Sequence, residues 1–246
     1  MMPTYDLNKI KFSTDEATFQ RATGLYENGK VTEVKPQGGD YTAVVLGTKH
    51  YRVSVSAQNY HHGSCTCYLG GKDTLCKHIV ALALHAVMDG RPLNDTDKKL
   101  DHQVKCSRRQ GAINKEEFAM VKKSVTEALR YIKPYTGPSR TWFANQDSLC
   151  EGCNRLSAIV SDLPVNQQAA EVLVKLLLRL DKKLCVGGVD DSNGTVGGLM
   201  REVVRALEEF AQIDPECIET FGLLVGRETC FGWEEPLVRM LDDTPK

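Results

Sequence analysis

The chain has 246 residues, 41% hydrophobic and 26% charged, an ordinary globular balance that excludes a disordered or collagen-like chain. Nine cysteines make an odd count, and they are not spaced as the dense disulfide framework of a small secreted domain. The net charge of −1 conceals an asymmetry: residues 1–90 carry nine Lys/Arg against eight Asp/Glu, residues 91–140 twelve against six, and residues 141–246 ten against eighteen, so a basic middle precedes an acidic end.

The first residues contain no apolar core of the kind a secretory signal needs. The longest apolar run, residues 79–88, is interrupted by His85 and is too short to span a bilayer. A cytoplasmic protein without membrane contact is expected, its cysteines held in a reducing compartment. Ser13 followed by Glu16 reads as a capping box, and Phe19, Ala22, Leu25 and Tyr26 recur at helical spacing up to Gly29. Three strands should follow, over residues 31–34, 41–46 and 51–55, with Gly38 and Gly39 in the first turn. They form a small antiparallel meander with one buried face.

After the meander come Cys65, Cys67, Cys76 and His78, two pairs separated by eight residues that include Gly70 and Gly71. Three thiolates and one imidazole are the donor set of a closed, tetrahedral structural zinc site. In an extended segment, side chains two apart point the same way, so Cys65 and Cys67 can grip one ion. On a helix, two apart means about 200° of rotation. Cys76 should therefore precede the helix and His78 stand in its first turn, with the metal over the helix N-terminus. The competing reading is of buried free cysteines with a core histidine, and the ligand spacing favours zinc.

The Cys-x-Cys and Cys-x-His pairs leading into an apolar helix resemble the SWIM-type zinc finger, over roughly residues 19–87. In that family the finger follows a small β-meander. The role the resemblance implies is zinc-dependent binding of DNA or protein, not catalysis. The helix over residues 78–89 has almost no polar face and no Lys or Arg after Lys77, so it should be buried and cannot read bases in a groove. Nucleic acid contacts must then come from Lys49, Arg52, Lys72 and Lys77, or from the following basic segment with Lys98, Lys99, Lys105, Arg108 and Arg109.

Residues 91–113 read as a basic linker. Helices should follow, the first capped by Asn114 with Glu117 and stopped at Pro134, then residues 147–162, 166–184 and 195–212. Asp214 and Pro215 should open another helix, with a short last one over residues 236–241. The expected fold is thus an α+β zinc finger module over residues 1–90, followed by an all-α region of repeat-like helical hairpins over residues 114–246.

Weaker signals read as structure. Cys150 and Cys153 have redox spacing but lie in a helical pattern, with Cys153 in core phase. Cys185, Cys217 and Cys230 read as buried small hydrophobes. The acidic stretch ending at Gly194 fails as a calcium loop and reads as an Asx turn. His61 and His62 should be exposed, and His85 lies about 10 Å of helical rise from His78, too far to share its metal. The shell of four protein ligands leaves no open position, and no glutamate lies between Glu33 and Glu116, so a zinc enzyme is the less favoured reading. The expected function is a non-enzymatic zinc module engaging nucleic acid or protein. The alternative is a purely protein–protein adaptor, with the helical region as its surface.

Overall fold

The computed structural model describes residues 2–100 and 102–242. The chain divides into two compact units, Met1–Leu100 and Asp101–Lys246.

The first unit opens with a short helix that the sequence reading lacks, α1 (Leu7–Phe12), capped by the Asp6 carboxylate, which accepts the N–H of Lys9. Ser13 closes α1, donating its N–H to the Lys9 carbonyl. The second helix, α2 (Glu16–Glu27), therefore takes its cap from Asp15, whose carboxylate accepts the N–H of Thr18. The expected capping box at Ser13 fails because Ser13 is already committed to the preceding helix.

Four antiparallel strands follow in sequence order: β1 (Val31–Gln37), β2 (Asp40–Leu46), β3 (His50–Ser56) and β4 (Ser64–Cys65). Gly38 and Gly39 both take positive φ, +60° and +99°, which the two-residue turn between β1 and β2 requires. Tyr41, Ala43, Val45, Val53 and Val55 face the core, as the period of two demands. Strand β4 is only two residues long and gives no pattern to read, yet it pairs Cys65 opposite Val53. Helix α3 (Lys77–Met88) lies on α1, α2 and the sheet. All six residues from Ile79 to Leu84 are buried, which accounts for its lack of a polar face.

Residues 91–113, expected as a linker, divide between the two units. Leu93 and Leu100 pack into the first core, on either side of the single turn α4 (Asp95–Lys98). Ile113 belongs to the second core, with Val104 and Cys106 packed against it. The backbone there is tied down as well: Val104 donates to the Glu202 carboxylate, Lys105 to the Ser161 hydroxyl, and Val165 to the Arg109 carbonyl. A few apolar anchors in a polar stretch leave no periodicity to detect.

The second unit is helical. Helix α5 (Lys115–Ala128) starts from a true capping box of Asn114 and Glu117. Then come α6 (Trp142–Asp162), α7 (Gln167–Cys185), α8 (Thr195–Ile213), a 3-10 helix (Pro215–Leu224) and α9 (Glu235–Asp242). Two successive pairs, α5 with α6 and α7 with α8, pack on each other, and further contacts join helices that are not neighbours in sequence. Helix α6 packs on α5 and α8, while α7 packs on α8 and the 3-10 helix. Helix α8 is the hub, because Val196, Met200, Val203, Leu207 and Phe210 bury an apolar face along its whole length. No helix among the described residues is long and apolar enough to cross a membrane.

Candidate metal centre

Cys65 is brought in by β4, Cys67 lies two residues further on, Cys76 is the N-cap residue of α3, and His78 stands in its first turn. Their ligand atoms all lie within 4.8 Å of one another. His78 Nδ1 is 3.7 Å from the Cys65 sulfur and 3.8 Å from the Cys76 sulfur. A tetrahedron built on bonds of about 2.3 Å has edges of about 3.8 Å. Cys65, Cys76 and His78 are buried and Cys67 is half-buried. The donor chemistry, the spacing and the burial fit a metal ion, which these four residues could hold.

The surroundings favour thiolate. The N–H of Cys67 points at the Cys65 sulfur at 3.4 Å, and that of Gly70 at the Cys67 sulfur at 3.3 Å. A hydrogen bond from the Cys65 thiol pulls Cys76 down to about 4, against its burial, and His78 and the Ile79 N–H help. Cys65, the donor of that bond and buried, is pushed up. Cys76, at the helix N-terminus, is the sulfur that these surroundings favour as thiolate.

The His78 ring stacks on Tyr51 at 4.3 Å, which fixes the imidazole with Nδ1 toward the thiols. Its Nε2 is buried without a protein partner. Gly47 makes room for it: a Cβ there would come within 3.0 Å of the Tyr51 ring and 3.3 Å of Nε2. The spacer between the pairs folds as a single 3-10 turn, Gly70–Lys72, closed by Asp73 in the left-handed region at φ 53°. Gly70 is required by contact, since a Cβ would sit 2.2 Å from the Cys65 carbonyl oxygen.

The basic residues fall into two groups. Lys49, Arg52 and Lys72 are exposed and Lys77 half-buried; none of the four has an ion-pair partner among the described residues. In the 91–113 segment, by contrast, Lys98 pairs with Glu27 at 2.5 Å, Arg108 with Glu209 at 3.3 Å and Arg109 with Asp162 at 3.2 Å. The sequence count missed these partners because they lie far away along the chain.

The remaining candidates stay apart from the cluster. His61 packs on Tyr60 and His85 edge-on to Tyr26, while His62 is exposed. Cys150 is exposed and Cys153 buried. Between them, Glu151 is fully buried against Arg155 at 2.8 Å, and Gly152 lies where a Cβ would meet Ile132 and Tyr131 at 2.9 Å. Asp190 and Asn193 cap local N–H groups, and Asp191 accepts those of Val196 and Gly197 at the start of α8. That is the expected Asx turn.

Cys217 is buried as expected, its thiol pushed up to about 12 by that burial. Cys185 and Cys230 are not buried hydrophobes: they are joined as a disulfide with Cα atoms 6.1 Å apart, within the usual span. Asp181 lies close to both sulfurs, but its carboxylate accepts the Cys230 N–H and the Trp233 indole N–H, each at 2.8 Å. It is a structural clamp on the 230–233 turn rather than a metal ligand. No local signal marks that pairing, which joins residues 45 apart. No protein family, no curated protein and no solved structure matches the chain.

Proposed function

We propose that this protein is a non-enzymatic, zinc-binding module of SWIM type that engages nucleic acid. The observation that carries the reading is the convergence of three sulfurs and the His78 ring within 4.8 Å of one another, with His78 Nδ1 3.7 and 3.8 Å from two of the sulfurs. Soft thiolates with one imidazole select zinc over harder divalent ions. Cys65, Cys67, Cys76 and His78 would hold it, and bound zinc would supply charge and cross-linking but no open coordination position. The metal would join the sheet, through β4, to the start of α3, which is the clamp that a small four-stranded sheet needs.

Contact with nucleic acid would fall to Lys49, Arg52, Lys72 and Lys77, whose charges are uncommitted among the described residues. Arg108 and Arg109 would take a smaller part, because each already faces a carboxylate, and so would Lys105. Two measurements test the reading. Metal analysis of the purified chain should find about one zinc per molecule, lost in Cys67→Ser. Anisotropy titration with labelled DNA should show binding that falls steeply with salt. Absence of binding at low salt would sink the nucleic acid part and leave the zinc part standing.

A second reading, a protein–protein adaptor with structural zinc, draws on the exposed Leu223, Val225 and Phe231 of the helical unit. Co-purification of a protein that survives nuclease treatment would favour it.

A further inference from the structure

The finger loop carries a feature that the metal does not explain. Tyr68, directly after the ligand Cys67, is 75% exposed, and Leu69 beside it is 44% exposed. Among the described residues of the first unit, the only other large exposed hydrophobic is Met2, at the chain's start. The loop is stiff. Gly71 donates to the Cys67 carbonyl, Lys72 and Thr74 donate to the Leu69 carbonyl, and Asp73 donates to the Gly70 carbonyl. A rigid backbone that presents a tyrosine and a leucine to solvent is a preorganised contact surface, since little ordering remains to be done on binding.

The charge around it is mostly positive. Lys72 Nζ lies 4.5 Å over the Tyr68 ring centre, and the ring's high exposure leaves its other face open. From Cys65 to His78 the only acidic side chain is Asp73, against Lys72 and Lys77. Arg52 stands on β3 next to the loop's approach: its carbonyl accepts the Thr66 N–H, two residues before Tyr68. An exposed aromatic ring with Lys72 on one face, in a loop with a net positive charge, matches a polyanion that also has flat, apolar rings to stack.

We infer that Tyr68 is a stacking platform for an unpaired base of single-stranded nucleic acid, with Lys72 and Arg52 meeting the adjoining phosphates. This rests on the nucleic acid reading above and narrows it. Bases within a duplex are already stacked on each other and offer no free face, whereas a single strand offers one at every nucleotide. The buried α3 offers no groove-reading helix either. An apolar protein surface could cover Tyr68 and Leu69, but it would leave the surrounding cations unmatched.

The test uses the full, zinc-loaded chain and a labelled oligothymidylate of roughly 20 nucleotides, long enough for a single site, beside a duplex of the same length. The single strand should bind more tightly than the duplex. Tyr68→Ala should weaken single-strand binding by roughly 5- to 150-fold and Tyr68→Trp should preserve it, because any large aromatic face stacks. Lys72→Gln should weaken both probes and lower the single-strand salt slope by about 0.7. Zinc content should be unchanged in all three variants, which separates a lost contact from a lost fold. Equal affinity of Tyr68→Ala and the parent chain for the single strand would overturn the inference, as would a preference for duplex, and either would leave the broader reading intact. Failure of the parent chain to bind either probe would overturn both.

Discussion

The two units solve the same problem, holding a chain of about a hundred residues or more in one shape, by different means. The second unit does it mainly with apolar burial, helped by the Cys185–Cys230 disulfide: α8 sits among α6, α7, α9 and the 3-10 helix, and one continuous core runs from Ile113 to Leu237. The first unit also has a core, of α1, α2, α3 and one face of the sheet. Its far edge, however, is a two-residue strand and a loop whose inward groups are thiols and an imidazole. That edge offers few apolar side chains to bury, so a bound cation would supply the hold that burial does not. On the zinc reading, the contrast teaches that a metal would serve where a short stretch of chain has too little to bury.

The largest expected effect breaks the first unit alone. Cys76→Ser, or complete chelation, should abolish zinc binding and unfold the β4–α3 edge, since structural zinc contributes apparent free energies of roughly 10–16 kcal/mol. Far-ultraviolet circular dichroism should then show helical signal from the second unit melting as before. Acid should act in the same direction. Protons compete with a metal for the three thiolates and the imidazole, so metal affinity, and the stability it adds, should fall as pH falls. A thermal melt that is unchanged between pH 7 and pH 4 would contradict this.

The reciprocal experiment breaks the second unit alone. Phe210 is fully buried on α8, and Phe210→Ala should cost about 3–5 kcal/mol through the cavity it leaves. Denaturant unfolding should show the shift while zinc content stays the same. A joint loss of zinc would mean that the two units are not independent.

The smallest effect sharpens the picture of the finger itself. Gly70→Ala should displace the Cys65 carbonyl and cost roughly 1–3 kcal/mol. It should weaken zinc retention against a competing chelator without abolishing it. Gly71→Ala, where the added Cβ meets nothing within 4 Å, is the matched control and should be close to neutral.

Much of this molecule was legible in the sequence, and the legible parts share a cause. The clustering of Cys65, Cys67, Cys76 and His78, the placing of Cys76 before α3 and His78 in its first turn, and the cap of α5 all follow from rules that act within a turn or two of chain. The apolar burial of α3 could be read for the same reason. Other features were decided only by tertiary structure. Strand β4 exists because β3 offers it an edge, and α8 became the hub by packing on α6 and α9 as well as on its sequence neighbours. Cys185 met Cys230, Asp181 clamped the 230–233 turn, and Arg108 and Arg109 found carboxylates far along the chain. Each of these is a meeting of distant residues, set by how whole elements pack, and no local pattern encodes it.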